Sequence, residues 1–496
     1  MQRPAILAID EGTTGCTCLV VDERGSIVGR AYSEFKQHYP QPGWVEHDAS
    51  EIWDTTLRLS REVMQAAHEY NIVGIGITNQ RETIVLWDRT TGQPVHRAIV
   101  WQDRRTSERC RELKSQGREA WVRARTGLVL DPYFSATKLE WLLHNVPVLR
   151  VRAEKGELAA GTIDCWLLWK LTGGSVHATD PSNASRTLLY NIDRLEWDVE
   201  LLALFSVPRA LLPEVKPSSG VFGHTAAHLF GASIPVAGMA GDQQAALFGQ
   251  GCTASGQAKN TYGTGAFLLL NTGSERVESS RGLLTTVACG PRGEPAYALE
   301  GSIFIAGAAV QWLRDELRII GNAVETEPLA RTLEHNEGVY FVPAFVGLGA
   351  PHWNAEARGT IVGLTRGSRR EHIIRAALES MAYATHDVLQ AMIADSGVEA
   401  QELAVDGGAS NNDWLMQFQA DILGIPVRRP RYIESTAFGA AGLAGIGVGV
   451  WRDAADFLSA RGEATHFQPG LDEATRSTWL SGWHRALRAT LAWADA

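Results

Sequence analysis

The chain has little of what would tie it to a membrane, a nucleic acid or an oxidising compartment. It carries six cysteines in 496 residues, Cys16, Cys18, Cys110, Cys165, Cys252 and Cys289, and no two of them stand in a C-x-x-C spacing. That excludes paired-thiol zinc and redox motifs and reads as reduced, mostly buried thiols of a cytoplasmic protein. Basic residues do not dominate. Forty-six Lys and Arg against 56 Asp and Glu give a formal charge of -10, the wrong sign for nucleic acid or an anionic membrane as main partner. No apolar run reaches the roughly 18 residues that a spanning helix needs. The nearest stretch, "STAFGAAGLAGIGVGVW", is broken by glycines and reads as a tightly packed soluble helix followed by a turn. The first residues enter an apolar strand with no basic-then-apolar leader pattern. Low-complexity linkers are absent as well, so the domains expected at about 150 residues or more each should pack closely.

What is present is an alternation of strand-like and helix-like segments. "AILAID", "CLVVDE" and "IVGRAYSEF" read as strands. "SEIWDTTLRLSREVMQAAHEY" has apolar residues at helical spacing, with Ser50 as the expected N-cap and Asp48 just before it. The buried-looking strand "IVGIGITN" follows, which completes an α/β signature. The order then recurs. "AKNTYGTGAFLLLNTG" again places a Gly/Thr turn between two strands, "TTVACG" and "AYALEG" follow, and "AGAAVQWLRDELRII" reads as a helix. The expectation is a duplicated α/β fold with residues 1–250 and 251–496 as its halves and the boundary between Gly249 and Gly256. One Gly/Thr turn is a hairpin in most proteins. Two of them, Gly12-Thr13-Thr14-Gly15 and Gly263-Thr264-Gly265, could grip a polyphosphate across a cleft, because backbone N–H groups in such turns form anion-binding concavities.

Several residues could carry chemistry, each with a plainer reading beside it. Asp10 ends an apolar strand and could hold a metal ion, or merely start an Asx-type turn. Asp242 in "MAGDQQAALFGQ" stands at a helix start, where it could be only an N-cap or could accept a proton from a substrate hydroxyl. Arg81 and Glu82 in "GITNQRETIVLWD" could be a surface ion pair of little consequence or the hydrogen-bonding partners of a polyol. Trp101 and Tyr133 could be ordinary core aromatics. In "LAVDGGASNNDWLMQFQADILGIPV", Gly407 and Gly408 turn the chain and Asn411 or Asn412 can cap a helix running to Gly424, or the glycines could offer a flat surface to a purine. Asn183-Ala184-Ser185 is a glycosylation sequon on paper, discounted for want of a leader.

Together the segments "GWVEHD", "GITNQRET", "IVWQDRRT", "GLVLDPYFSATKLEW", "AGDQQAALFGQ", "KNTYGTGAF", "VPAFVGLGAPHW" and "DGGASNN" resemble the FGGY carbohydrate kinases, in family order and over nearly the whole chain. The resemblance implies two ribonuclease-H-like domains of the actin/hexokinase type with ATP in the cleft between them. It is similar in detail to members that phosphorylate glycerol with ATP and Mg²⁺. By motif match, glycerol would be held by Arg81, Glu82, Tyr133, Asp242 and Gln243, with Trp101 and Phe267 as the apolar wall and Asp242 as general base. Thr13, Thr14, Gly15 and Thr264 would lie along the phosphates, Gly307, Gln311, Gly408 and Asn412 would contact the nucleotide, and Asp10 would organise Mg²⁺ or its waters. The alternatives are a kinase for another small polyol or ketose, and a regulatory binding protein that has lost catalysis. The first loop departs from the family's usual Asp-Gln-Gly-Thr-Thr-Ser-x-Arg at Glu11, Gly15 and Thr17. The family's Arg at the last position contacts phosphate, so a weaker hold on nucleotide is expected, with the extra carboxylate of Glu11 adding repulsion. Homo-oligomerisation stays open. In some relatives a loop histidine is phosphorylated by a phosphocarrier protein, and His228 is the corresponding residue, although an ordinary surface histidine is the favoured reading.

Overall fold

The computed structural model describes residues 2–460 and 462–494. The first half is built on a sheet of six strands, β1 (Arg3–Glu11), β2 (Gly15–Asp22), β3 (Ile27–Glu34), β4 (Tyr70–Asn79), β5 (Ser219–His224) and β6 (Pro235–Gly241), in the order β5-β6-β4-β1-β2-β3. The second half is built on seven, β7 (Gln257–Tyr262), β8 (Ala266–Gly273), β9 (Leu284–Cys289), β10 (Pro295–Ile303), β11 (Glu402–Gly407), β12 (Val427–Arg429) and β13 (Thr465–Phe467), in the order β9-β10-β8-β7-β11-β12-β13. Read from β3, the first sheet runs antiparallel to β2 and β1, then parallel through β4 and β6, then antiparallel to β5. Read from β10, the second repeats that pattern through β8, β7, β11, β12 and β13, with β9 added at its edge. The duplication read from the two Gly/Thr turns is therefore present strand for strand.

Each sheet is covered on both faces, and strand alternation decides what faces what. In β1, Leu7 and Ile9 join the core under helix α1 (Ala49–Ala66), while Ile6 and Ala8 face the other way. The N-cap of α1 is Asp48 and not Ser50: its carboxylate accepts from the Ser50 N–H at 2.8 Å, as the shorter acidic side chain at a cap does well. The second sheet lies against the 27-residue helix α4 (Arg370–Ser396) through Ala258, Tyr262, Leu268 and Leu270. The helix expected over 306–320 stops earlier, as α3 (Gly307–Asp315). A smaller five-stranded sheet combines Gln37–His38 and Glu46–His47, from between β3 and α1, with Ala98–Ile99, Ile84–Asp88 and Leu158–Thr162 from between β4 and β5; the core beside it reaches Leu284 and Val287 of β9.

Two helices occupy the space between the sheets. Helix α2 (Asp242–Gly249) follows β6, and the chain returns far later as α6 (Ser435–Gly447). Although α6 belongs to the second half by sequence, it packs on the first sheet, with Ala437, Ala441 and Ala444 beside Ile6, Ala8, Leu19 and Val21. The two helices cross so closely that a Cβ at Gly439 would overlap the Ala245 carbonyl. The small-residue composition of "STAFGAAGLAGIG" is what permits this approach. Gly439→Ala should lower stability by about 1–3 kcal/mol despite its better helix propensity, because the clash is with backbone that cannot rotate away. Gly408→Ala is the control, since a Cβ there meets nothing. Guanidinium denaturation of both variants checks this; equal midpoints would mean that the crossing has slack.

Candidate functional site

The parallel strands set the site. β1, β4 and β6 are neighbours and run the same way, with Asp10 level with Thr78 and Asn79 level with Gly241. Asp10, the Arg81–Glu82 pair and Asp242 therefore leave the sheet at one edge, the carboxyl ends of the strands, where ligands of open α/β sheets gather. In the second sheet β7 and β11 are parallel, with Tyr262 level with Gly407, so the turn at 263–265 lies beside Gly408.

Arg81 and Glu82 are not a surface pair. Their side chains are 2% and 1% exposed, and they join a buried cluster that spans both halves. Arg81 forks onto Glu300 of β10, Nη1 to Oε2 at 2.6 Å and Nη2 to Oε1 at 3.1 Å, and its Nε lies 3.1 Å from Asp242 Oδ1. Arg186 donates to Glu82 Oε1 at 2.6 Å and to Glu300 Oε1 at 3.0 Å. Burial pushes the Glu300 carboxyl up, but Arg186 and Arg81 outweigh it and hold it down to about 2. For Glu82 burial wins over both guanidinia and its carboxyl is raised. Glu82 also takes a left-handed backbone, φ 64°, a conformation that costs about 1–3 kcal/mol for a residue of this kind. Its carbonyl accepts from Ser135 Oγ at 2.8 Å and its carboxylate from Arg186, which hold it there.

Asp242 is the first residue of α2, and Gly241 is the N-cap. The Gly241 N–H donates to Ser182 Oγ at 2.9 Å, which fixes the chain just before the carboxylate. Asp242 Oδ1 accepts from the Gln243 N–H at 2.7 Å and faces Arg81, while the side chain stays 31% exposed. Desolvation raises its carboxyl against the pull of Arg81. Desolvation, and after it the charge of Asp242, raises Asp10 to about 7.

Beside this pair lie the polyol candidates. Tyr133 Oη is 3.5 Å from Arg81 Nη2, and the Trp101 ring meets Tyr133 edge-on at 5.4 Å. Gln243 accepts at Oε1 from Lys259 Nζ, which also donates to Thr261 Oγ1 at 2.8 Å. With Oε1 engaged, the Gln243 amide offers its N–H donors. Phe267 pairs with Thr261 across β7 and β8, on the sheet face that also carries Lys259, Leu269 and Glu300, turned toward α2.

The phosphate-loop candidates divide. Thr14 is exposed at the tip of the first turn, whereas Thr13 Oγ1 already accepts from Trp101 Nε1 at 2.8 Å. Gly15 is fitted to β3: a Cβ there would press on the Ser33 carbonyl. Thr264 is exposed, and its carbonyl receives the N–H groups of Ala306 and Ala308 at 2.9 and 3.0 Å, so the start of α3 with Gly307 sits on the second turn; Gln311 stands exposed one helical turn on. Gly408 is exposed and open. The Asn412 side chain is committed as the cap of α5 (Asp413–Leu423), accepting from the Leu415 N–H at 2.9 Å, and it donates to Thr326 at 3.3 Å. Glu11 corrects an expectation. Alternation puts it on the α1 side of β1 with Leu7 and Ile9, opposite to Asp10; it is fully buried and accepts from Gln80 Nε2 at 3.1 Å. Burial raises its carboxyl well above the usual range, which disfavours a charge there, and the strand turns it away from the face that carries Asp10. Thr17 does share a face with Asp10, directly opposite it in the ladder. Asn183 of the discounted sequon is fully buried and exchanges amide hydrogen bonds with Asn79.

Sequence reasoning missed Arg186, Glu300 and Lys259. Each had a signal: a lone charge within a segment otherwise built for burial, "NASRTLLY", "AYALEG" and "QAKNTY", where a charged side chain must have a partner.

Comparison with known proteins gives a consistent result. The profile of the FGGY family of carbohydrate kinases matches in both parts, its N-terminal domain over residues 5–249 and its C-terminal domain over 258–448. A glycerol kinase of Carboxydothermus hydrogenoformans is 58% identical over 497 residues, covering 99% of each chain. Glycerol kinase 2 of Thermotoga maritima is 55% identical over 490 residues, covering 98% of this chain and 99% of that one. Among solved structures, that of Plasmodium falciparum glycerol kinase with ADP superposes with a TM-score of 0.94 at 37% identity, covering 99% of this chain and 98% of that one. On two matched domains and whole-length relatives, the chain belongs to the FGGY family of carbohydrate kinases.

Proposed function

We propose that this chain transfers the γ-phosphoryl group of ATP to glycerol, forming sn-glycerol 3-phosphate, in the cytoplasm. The observation that carries the reading is the set of polar groups converging on Asp242, a guanidinium, a second carboxylate, a phenol and an amide, each held by a neighbour before any substrate arrives. The glycerol kinases found at 55–58% identity support the substrate. A triol offers little apolar surface, so selection must come from hydrogen bonds, and a site that pairs each hydroxyl rejects analogues lacking one. Arg81, Glu82, Tyr133 and Gln243 would bind the hydroxyls, and Trp101 and Phe267 would line the carbon chain. Asp242, with its carboxyl raised above the usual range, would take the proton of the attacking hydroxyl. The turns at 13–15 and 263–265, exposed at Thr14 and Thr264, with Gly307, Gln311, Gly408 and the backbone at Asn412, would receive the nucleotide.

Magnesium fits Asp10. A carboxylate is the hard oxygen donor this ion prefers, and one raised to about 7 beside another carboxylate sits where a cation is favoured. Bound there, Mg²⁺ would neutralise charge on the phosphates during transfer. ADP release measured with glycerol, dihydroxyacetone and xylulose tests the function. Preference for xylulose or dihydroxyacetone would assign a ketose kinase, and no turnover with tight glycerol binding would assign a binding protein. Phosphorylation of the exposed His228, on the short helix Ala227–Phe230, would be seen by mass spectrometry after incubation with a phosphocarrier protein.

Asp242→Asn should keep glycerol binding and lose ~10²–10⁴-fold in kcat, the usual cost of removing a general base. Steady-state kinetics that left more than about a tenth of the wild-type kcat would remove Asp242 from that role. Thr17→Arg should lower the KM for ATP several-fold and leave the KM for glycerol unchanged. A charge-assisted hydrogen bond contributes ~1.5–3 kcal/mol, reduced here by solvent. Glu11→Gln should add nothing to it, since residue 11 faces α1; an effect of Glu11→Gln on the KM for ATP would count against that orientation. Burial lowers the Lys259 ammonium to about 8 against the pull of Asp406 and Asp242. As pH rises through that value the ammonium loses its proton and its grip on Gln243 weakens. The KM for glycerol should therefore climb several-fold above about pH 8, and Lys259→Arg, which stays charged, should flatten the rise; a KM profile unaltered in that variant would show that another group titrates.

A further inference from the structure

Away from the strand edges that carry Asp10 and Asp242, α4 and the C-terminal helix α7 (Glu473–Ala494) bring together an unusual set of side chains. His386 and Asp387 come from α4, His484 from α7, and His352 from the loop that enters "APHW". His484 Nε2 is 3.0 Å from Asp387 Oδ1, His386 Nδ1 is 3.5 Å from the same oxygen, and His352 Nε2 is 3.7 Å from Oδ2. Trp483 Nε1 donates to Oδ2 at 2.7 Å and fixes the carboxylate. The ligand atoms of His386, Asp387 and His484 all lie within 4.8 Å of one another.

Hydrogen bonding alone does not account for the cluster. His386 Nδ1 is buried and stands 3.5 Å from Asp387 Oδ1, an ion-pair distance without a well-aligned hydrogen bond. A buried ring nitrogen without such a bond forfeits free energy unless something else occupies its lone pair. Three imidazoles and one carboxylate are a donor set for a borderline-soft divalent ion, and four protein ligands make a closed, structural site. Magnesium, which prefers oxygen, does not suit it. His352 and His484 are 27% and 43% exposed at the side chain, and closing on an ion would bring both from their present 3.7 and 3.0 Å contacts with Asp387 toward the ~2.0–2.1 Å of zinc–nitrogen bonds. The cleft lined by Phe304, Pro343, Leu348 and Trp483 reaches His352 and Asp387 and gives an ion its way in.

We propose that His352, His386, Asp387 and His484 bind one divalent transition-metal ion, Zn²⁺ by preference, which clamps α7 to α4 and to the 343–353 loop. That loop is the one whose Ala350 N–H donates to the Ser302 carbonyl on β10 at 3.1 Å and whose Trp353 Nε1 donates to the Gly282 carbonyl at 2.6 Å. A clamp here would tie the chain's last helix to the second sheet near its Gly/Thr turn. Beyond the four ligands, Arg488 is the charged group whose field opposes a cation at His484. The cysteines do not compete, since all six are buried.

The test uses the full chain, stripped with a chelator and titrated by calorimetry with Zn²⁺ in excess Mg²⁺. The expected result is one equivalent bound at micromolar affinity or tighter and a higher melting temperature, because an ion that binds only the folded state stabilises it. His386→Gln and His484→Gln should each weaken binding about tenfold or more and lose the melting shift. Co²⁺ should give the intense visible bands of a four-coordinate site in the wild type and lose them in either variant, a readout independent of folding stability. Absence of a stoichiometric site, or Zn²⁺ affinity and Co²⁺ spectra unaltered in both variants, would overturn the proposal.

Discussion

One guanidinium holds the site together. Arg81 lies just past β4 of the first sheet and is bound to Glu300 of the second, to Asp242 at the start of α2 and, at 3.7 Å, to Glu82 beside it. The fork of its Nη atoms fits the two oxygens of Glu300, and Nε remains for Asp242. A lysine, a single charged point on a flexible stem, could not serve both carboxylates at once. Arg186 balances the arrangement by joining Glu82 to Glu300 from the other side. Two cations and two anions then share a dry volume. Removing any one would leave a buried charge unpaired, at a cost of about 3–5 kcal/mol. Such a cluster is a poor way to gain stability and a good way to fix angles. The strained backbone at Glu82 is tolerated because its side chain and carbonyl are both tethered.

The duplication explains why those groups meet. In each half the same strand order delivers the chain to the same edge, and the helices α2 and α6 between the sheets set the distance across. Their crossing at Gly439 and Ala245 leaves no room for a larger side chain, so the spacing is fixed by backbone rather than by side-chain packing. Because α6 belongs to the second half by sequence and to the first by packing, neither half completes its covering without the other.

Much of this was legible beforehand, and the reasons are physical. The two Gly/Thr turns between strands marked the duplication, since such a turn has a narrow choice of residues. The glycines of "STAFGAAGLAGIG" marked close helix packing, though not the partner, because nothing local says which surface a small-residue helix meets. The cap falls on Asp48 rather than the expected Ser50 because two good capping residues stand almost together in "DAS". The hidden part was the long-range charge pairing. Glu300 and Arg186 are 114 positions apart, and no periodicity links them. A carboxylate inside the apolar strand "AYALEG" announces that it has a partner, and only the fold names it. Glu11 failed for a simpler reason. Its departure from the family pattern was read as a charge near phosphate, whereas counting alternation from Leu7 and Ile9 places it on the far face.

The two edges also carry different chemistry on the same scaffold. The first presents Asp10, Arg81, Glu82 and Asp242, all ionisable and mostly desolvated. The second presents Thr264, Gly307 and Gly408, where small side chains keep the backbone close to the surface, although the Gly307 N–H is itself bonded to the Gly263 carbonyl at 3.0 Å. In our reading the first edge selects the polyol and meets the metal, while the second accepts a nucleotide largely through backbone. That division bears on Thr17. A position on the Asp10 face of β2 lies at the charged edge, so a cation there would serve the phosphates from the side where charge is already organised. On that reading, a hydroxyl at residue 17 in place of a cation would leave Asp10 with a larger share of the work of bringing in positive charge. A domain duplicated in backbone has thus become specialised in side chains, through the few residues that leave the carboxyl ends of its parallel strands.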